Sequence, residues 1–255
     1  MNILLIGILG LLPSIIWLSY YLKKDRNPEP KHMIIRVFLL GMIMVVPTYF
    51  IEWSFDGIFS SLPVSLAVST LLFIFIGIAL VEEVIKYLTV VWGALKSQEI
   101  DEPVDIMIYM IVAALGFAAA ENMKYIFEHL AIGATIPNVL LLTMLRFFFS
   151  TFLHALLSGM LGYFMVLSFF HQQHKWRFLL MGFTIAIVLH GVFNMYILKV
   201  GDISQLLVPL LILIGLAMSL AWAFSNVRYM KSICEWTPLG TKNPTQYVFP
   251  KKTQG

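Results

Sequence analysis

The sequence predicts an all-α polytopic membrane protein with about seven transmembrane helices, its N-terminus outside and its C-terminus in the cytoplasm. The first observation is composition: 60% of the 255 residues are hydrophobic and 12% are charged, and the mean hydropathy is +0.87. Soluble domains carry about 25% charged residues. The second observation is a set of seven long apolar runs. The third is that these runs are apolar throughout instead of alternating, so helices and not barrel strands satisfy the backbone.

The runs are the predicted spans, since a helix needs roughly 20 mostly apolar residues to cross a bilayer. Short polar breaks with turn or helix-ending residues separate them, for example Asn27-Pro28-Glu29-Pro30, Asp56-Gly57, Glu102-Pro103 and Pro137-Asn138. The third run is long, and it reads either as one tilted helix or as a re-entrant segment from Pro63 followed by a helix. The seven runs are approximately 2–22, 34–52, 63–95, 104–127, 138–170, 178–198 and 203–225.

Basic residues set the expected orientation, because cytoplasmic loops are enriched in Lys and Arg. Counting alternate breaks from Lys23 and Lys24 places thirteen cations on the cytoplasmic side and only Lys199 outside. We therefore expect a membrane domain over residues 1–227 and a polar cytoplasmic tail over 228–255. Residues 1–22 lack a basic n-region, so we expect a span and not a cleaved signal peptide.

The composition excludes several other classes of protein. Disorder requires low hydrophobicity, and the single Cys234 cannot form an intrachain disulfide. The net charge of +3 is small and its cations are dispersed, so no nucleic-acid partner is expected.

Charged and imidazole side chains interrupt four of the apolar runs. Each charge near the bilayer centre costs about 2.5–3.5 kcal/mol on insertion scales, so it needs a compensating reason. Counting about 1.5 Å per residue from the cytoplasmic ends places these groups within about two helical turns of one another. We expect them to form one site, slightly beyond the midplane toward the outside. The residues are Glu82, Glu83 and Lys86 in the third run, Glu121 and Asn122 in the fourth, His154 in the fifth, and His190 and Asn194 in the sixth.

Spacing within the helices suggests acid–base chemistry. Lys86 follows Glu82 by four residues and Glu83 by three, so it can pair with either. Two adjacent carboxylates in a low dielectric do not both ionise easily, and this suits a general base with an electrostatic partner. His190 and Asn194 share a helix face, as do Glu121 and Tyr125, and imidazole and amide groups can donate to an oxyanion.

Structural roles compete with these functional ones. A helix–helix hydrogen bond or a snorkelling side chain suffices for an isolated polar residue, and this reading suits Arg146 and Lys124 best. For His154 taken alone, and for Glu121, the choice between a structural and a functional role stays open. We interpret the following as solvated residues in breaks or at run ends: Glu52, Asp56, Glu128, His171, His174 and Asp202.

The combined motifs resemble the PrsW family of bacterial intramembrane proteases, which is more distantly related to the CAAX prenyl proteases and Abi proteins. The resemblance rests on Glu82-Glu83-x-x-Lys86, Glu121-Asn122-x-x-Tyr125, His154 and His190-x-x-x-Asn194. The stretch Asp25-Arg26-Asn27-Pro28-Glu29-Pro30 is similar to the family's early signature. The likeness covers most of residues 20–200.

The resemblance implies a glutamate-type peptidase without metal or other cofactor in the bacterial plasma membrane. By this likeness Glu82 or Glu83 activates a water, His154 helps to hold it, and His190 with Asn194 forms the oxyanion hole. Lys86, Glu121, Asn122 and Tyr125 support them. The CAAX relatives have a basic residue four positions after the second Glu, whereas Lys86 comes three after Glu83, so which Glu is the base stays open. The implied substrate is a single-span membrane protein such as an anti-sigma factor.

Two alternatives remain at this stage. A zinc peptidase could use the two His and a Glu, although no His-Glu-x-x-His is present. A proton-coupled transporter could use Glu82, Glu83, Glu121, His154 and His190 as a proton relay.

Overall fold

The chain folds into a bundle of seven long helices over the residues that the computed structural model describes, which are 3–24, 27–97, 99–197, 203–228 and 230. No strand occurs in these ranges, and each of the seven helices is long and apolar enough to cross a membrane. The predicted all-α fold with seven membrane-spanning helices is confirmed, and the orientation of the termini stays a prediction. Cys234, Lys199, Asp202 and, apart from 228 and 230, the tail 228–255 lie outside the described residues. The helices are α1 (Ile3–Leu22), α2 (Lys31–Ser60), α3 (Leu66–Gly93), α4 (Pro103–Ala131), α5 (Ile136–Phe170), α6 (Lys175–Ile197) and α7 (Leu207–Val227).

Helix α2 is longer than expected. The predicted break at Asp56-Gly57 is wrong, because the helix continues to Ser60. Glu52 and Asp56 are therefore helical residues and do not lie in a loop. Thirty residues span about 45 Å, well beyond a hydrocarbon core of about 30 Å, so a polar helix end can extend into the interface without a turn.

Helix α3 answers the question about the third run: one continuous helix covers Leu66–Gly93. Ser65 caps its start, because the Ser65 side chain accepts a hydrogen bond from the Val68 N–H at 3.4 Å. Its middle, Phe73–Leu80, is a π-helical segment. Helix α5 contains a second such segment at Arg146–Ser150. The sequence did not indicate either one.

Helix α4 is the centre of the bundle. Almost all of its membrane-spanning part is buried, and it packs against α1, α2 and α5. Its start matches the predicted break at Glu102-Pro103: the Asp105 carboxylate accepts the backbone N–H groups of Asp101 and Glu102, at 3.0 and 2.7 Å. Such a cap satisfies N–H groups that the first turn leaves unpaired.

The connection between α1 and α2 is fixed to this same end of α4. The Tyr109 hydroxyl donates a hydrogen bond to Glu29, and the Asn27 amide donates one to Glu102. Part of the early signature around Asn27 and Glu29 therefore has a structural role at this end of the bundle.

Two glycines let α2 and α4 touch backbone to backbone. A methyl group on Gly116 would collide with the Phe38 carbonyl oxygen, and one on Gly41 would collide with the Ala113 carbonyl oxygen. Small residues at such crossings allow the close approach that stabilises helices in lipid. The crossing therefore fixes α4 against α2.

We predict that Gly116→Ala lowers the thermal unfolding midpoint of the purified protein in detergent, because the methyl group must push two backbones apart. Gly215→Ala in α7 is the matched control, since nothing lies within 4 Å of a methyl group there. Replacing Gly by Ala inside an unobstructed helix stabilises by about 0.5–1 kcal/mol, so the control should unfold at the same or a higher temperature. Equal midpoints for the two variants would contradict the tight crossing.

Candidate active site

Side chains from α3, α4, α5 and α6 meet in one buried cluster within the membrane-spanning part of the bundle. Glu82, Glu83, Lys86, His154 and His190 are each at most 4% exposed. These five residues lie on α3, α5 and α6, and α4 adds Glu121, whose side chain is 15% exposed, so four helices contribute ionisable groups to one largely buried region. The structure therefore brings together the charged and imidazole side chains that the depth count places at a similar level.

The Lys86 ammonium lies at the centre of the cluster. Its Nζ donates to Glu83 Oε1 at 2.7 Å and contacts His154 Nδ1 at 2.8 Å. Glu82 Oε2 is 3.3 Å away, and the Phe117 ring centroid is 5.2 Å away. One cation therefore lies within reach of both buried carboxylates and balances the charge of one of them, which lowers the cost of placing these acids inside an apolar bundle.

The two adjacent glutamates have different surroundings. Glu83 Oε1 accepts hydrogen bonds from both Lys86 Nζ and His190 Nδ1, the latter at 2.9 Å. Glu82 Oε2 has no hydrogen bond, although it lies 3.7 Å from His154 Nδ1 and 4.0 Å from His190 Nε2. These separations are too long for direct hydrogen bonds, but Glu82 Oε2 and His190 Nε2 are spaced so that both can contact one water at about 2.8 Å from each. Glu83 is held on one oxygen, and Glu82 is the freer carboxylate.

Unpaired acceptors mark the reactive side of the cluster. Glu82 Oε2 and Glu83 Oε2 are both buried without a hydrogen-bond partner among the described residues. Buried polar atoms in native proteins almost always have a partner, so such atoms call for an explanation. Two of them on neighbouring carboxylates make this a suitable place for a polar reacting group.

The imidazole rings of His154 and His190 stand perpendicular, with centroids 5.4 Å apart. A carboxylate oxygen can only accept, so His190 donates through Nδ1 to Glu83 and presents Nε2 toward Glu82. His154 likewise uses Nε2 toward Glu121 Oε2, at 3.0 Å. Both rings are oriented by carboxylates, as is typical of imidazoles that take part in chemistry.

A second layer of polar contacts supports His154. Arg146 Nη2 donates to Glu121 Oε2 at 2.8 Å, and Arg146 Nε donates to Asn122 Oδ1 at 2.5 Å. The Asn122 amide donates in turn to Thr151 Oγ1 at 3.1 Å and to the Gly10 carbonyl at 3.3 Å. Glu121 and Asn122 therefore join the cluster as the sequence predicts.

Arg146 was missed as part of the site. We interpreted it as an isolated or snorkelling residue, yet its side chain is only 10% exposed and it bridges two residues of α4. A signal was available, because a cation inside an apolar run needs an acid at a similar depth, and Glu121 is such an acid.

Tyr125 contacts the central cluster through Arg146, and Asn194 lies one turn after His190 on α6. The Tyr125 ring stacks on Arg146, with its centroid 4.1 Å from Cζ. Asn194 is half-buried.

The π-helical segments lie just before two of the key positions. Phe73–Leu80 ends two residues before Glu82, and Arg146–Ser150 ends four residues before His154. A π-turn inserts extra residues into a helix and so rotates every side chain that follows, and such turns often occur at functional sites. Here they set which face of α3 and α5 carries the polar groups.

Known proteins match most of this chain. Residues 29–223 match the model of a family described as PrsW family intramembrane metalloprotease. The chain belongs to the PrsW family of intramembrane proteases. Protease PrsW of Oceanobacillus iheyensis is 29% identical over 205 residues, covering 80% of this chain and 88% of that protein. Protease PrsW of Geobacillus kaustophilus is 31% identical over 192 residues, covering 74% and 78%. Protease PrsW of Bacillus subtilis is 24% identical, covering 80% and 87%. No solved structure gives a significant match to the chain.

The family description raises the question of a metal, and the central cluster as arranged does not fit one. Lys86 lies where a metal among Glu82, Glu83 and His154 would sit, and an ammonium has no lone pair to offer as a ligand. Within the described ranges, the group of three His, Cys, Asp or Glu donors mutually within 4.8 Å is Glu29, Asp101 and Asp105. Asp105 is sixteen residues, about 24 Å, before Glu121 on α4. That acidic group is therefore separate from the cluster.

Proposed function

We propose that this PrsW-family chain hydrolyses a peptide bond of a membrane-anchored substrate by a glutamate-type mechanism, with Glu82 as the general base. The observation that carries the proposal is the unpaired Glu82 Oε2, buried beside His154 and His190 in a chain whose relatives are proteases. Glu83 then has a different role: it anchors Lys86 and His190 through Oε1. This assigns separate tasks to the two acids that the sequence left equivalent.

The reaction follows from these positions. Glu82 takes a proton from a water that also contacts His190 Nε2, and the resulting hydroxide adds to the scissile carbonyl carbon. The carbonyl oxygen becomes an oxyanion in the tetrahedral intermediate. The carbon–nitrogen bond then breaks, and the protonated Glu82 returns its proton to the leaving amine. The products are one new carboxyl terminus and one new amino terminus.

Donors for the oxyanion are His190 and Asn194, one turn apart on α6. Because Glu83 holds Nδ1 of His190, Nε2 is the nitrogen directed at the reacting atoms, and an imidazole protonated on both nitrogens donates through Nε2 first to the water and then to the oxyanion. Asn194 is half-buried and lies on the same face of α6 as His190, so its amide is placed to donate alongside the imidazole. One removed oxyanion donor typically costs about 10²–10³-fold in kcat.

The proposed substrate is a single-span membrane protein, and an anti-sigma factor in the bacterial plasma membrane is the type that the family likeness suggests. The cluster is buried among membrane-spanning helices, and this supports a peptide bond within a membrane-anchored protein as the substrate, rather than one in a soluble protein. The positive-inside count supports an orientation with the N-terminus outside, which would place the site beyond the midplane toward the outer leaflet.

The competing function is a proton-coupled transporter. The contacts from Glu121 through His154, Lys86 and Glu83 to His190 are continuous, and a proton relay needs such continuity. Cleavage and uptake assays on the same variants separate the two functions.

We predict that Glu82→Gln lowers cleavage by at least about 10²-fold, because an amide cannot take the proton from water. Membranes from cells carrying this variant should accumulate one or more uncut single-span proteins, which mass spectrometry of the membrane fraction identifies. Glu83→Gln should also fail to cleave, through displaced Lys86 and His190. Glu128→Gln, on the exposed end of α4, is the matched control and should cleave normally.

Wild-type cleavage in the Glu82 variant would end the proposal. Normal cleavage with abolished proton-driven solute uptake in vesicles would favour the transporter instead.

We predict that cleavage of the identified substrate persists after treatment of the purified enzyme with 1,10-phenanthroline and dialysis, because the cation beside the carboxylates is Lys86 and not a metal. The control is a zinc endopeptidase of the thermolysin type, inactivated under the same conditions. Loss of cleavage that added Zn²⁺ restores would contradict the glutamate mechanism and support a metallopeptidase.

A further inference from the structure

We propose that Arg146 is a positioning residue that fixes the tautomer and orientation of His154 through Glu121. This inference rests on the proposed function, since it concerns how the hydrolytic site is held. Arg146 contacts neither Lys86 nor the Glu82–Glu83 pair in the described residues, so its influence on the reaction passes through a second carboxylate.

The guanidinium is held on three sides. Nη2 donates to Glu121 Oε2, Nε donates to Asn122 Oδ1, and the Tyr125 ring stacks on Cζ. Two adjacent acceptors on α4 match the planar fork of an arginine, which a lysine cannot reproduce. Arg146 therefore locks α5 to α4 in both distance and rotation.

The acceptor on Asn122 is itself immobile. Its amide nitrogen donates to Thr151 on α5 and to the Gly10 carbonyl on α1. Arg146 is thus docked to a side chain that three helices hold. This contact fixes the guanidinium before it meets Glu121.

Glu121 Oε2 receives two donors at once, Arg146 Nη2 at 2.8 Å and His154 Nε2 at 3.0 Å. Since a carboxylate accepts, the His154 proton lies on Nε2. His154 Nδ1 then has a free lone pair, which meets the Lys86 ammonium at 2.8 Å. With Glu121 fixed by Arg146, His154 can neither flip nor exchange tautomers without breaking both contacts.

The orientation of His154 also affects Glu82, the proposed general base, through Lys86. Lys86 Nζ is 3.3 Å from Glu82 Oε2, and His154 Nδ1 is 3.7 Å from the same oxygen. If His154 turned, Lys86 would lose one of its two close partners and move relative to Glu82. Misplacement of a reacting group by about 1 Å can cost about 10²-fold in rate.

The experiment compares Arg146→Gln, Arg146→Lys and Arg36→Gln. Each protein is reconstituted in vesicles with the single-span substrate that accumulates in Glu82→Gln cells. We expect Arg146→Gln to lower kcat by about 10²-fold and to change KM by less than about twofold, because the side chain does not touch substrate. The kcat of Arg146→Lys should lie between those of Arg146→Gln and the wild type, since a lysine keeps the charge but lacks the planar guanidinium fork. Arg36→Gln, on the exposed face of α2, should match the wild type.

Two further readouts separate positioning from mere support of the fold. When Arg146→Gln is added to Glu121→Gln, kcat should fall by less than about twofold relative to Glu121→Gln alone. The effects of two residues that act through the same contact are not additive. Nitrogen-15 NMR of histidine-labelled protein, with His154→Gln to assign the signal, should show the Nε2–H tautomer of His154 in the wild type. In Arg146→Gln and Arg146→Lys that signal should shift or split between tautomers.

Wild-type kcat in Arg146→Gln, additive losses with Glu121→Gln, or an unchanged His154 tautomer would each overturn the proposal. If Arg146→Gln gives too little folded protein, Arg146→Lys decides: wild-type kcat with an unchanged tautomer overturns it. Failure of the proposed function looks different, because Glu82→Gln would then cleave normally whatever Arg146 does.

Discussion

One ammonium group, Lys86 Nζ, makes the buried site possible. Two neighbouring carboxylates within the membrane-spanning part of a bundle repel each other and have lost their hydration, so they need a cation within a side chain's reach. Lys86 lies 2.7 Å from one and 3.3 Å from the other, and it also contacts His154. This placement fixes Glu83, which can hold His190, whereas Glu82 Oε2 lies near the cation but accepts no hydrogen bond from the described residues.

The scaffold around Lys86 is built for accurate placement. Helix α4 lies at the centre, and its close crossing with α2 at Gly41 and Gly116 fixes it. Arg146 then ties α5 to α4, and the π-helical segments rotate α3 and α5 so that their polar residues face inward. Helix–helix contacts in lipid lack a hydrophobic drive, so small residues and hydrogen bonds must supply the precision. The same contacts that stabilise the bundle therefore orient the reacting groups.

Hydropathy predicts the seven spans because the free-energy cost of exposing polar backbone groups to lipid exceeds the other contributions to the stability of a membrane segment. The convergence of Glu82, Glu83, Glu121, His154 and His190 was predictable for the same reason, since a charge inside an apolar run needs partners at its own depth. Depth, however, does not give rotation about the helix axis. The different surroundings of Glu82 and Glu83 depend on that rotation, which the π-helical segments change. The role of Arg146 depends on its tertiary contacts with α4, which local sequence does not encode. The extension of α2 to Ser60 depends on how the helix end meets the membrane–water interface, which local sequence does not encode either.

The most direct test of the central role of Lys86 is a double-mutant cycle of Lys86→Met and Glu83→Gln, measured as the free energy of unfolding in mixed detergent micelles. Removing one partner of a buried ion pair destabilises by about 3–5 kcal/mol, so Lys86→Met should unfold far more easily than the wild type. The double variant should recover part of that loss, with a coupling of about 1–3 kcal/mol. The exposed pair Lys124–Glu128 is the matched control, and its cycle should give at most about 1 kcal/mol. Additive effects of Lys86→Met and Glu83→Gln, within about 0.5 kcal/mol, would contradict a lysine-centred cluster.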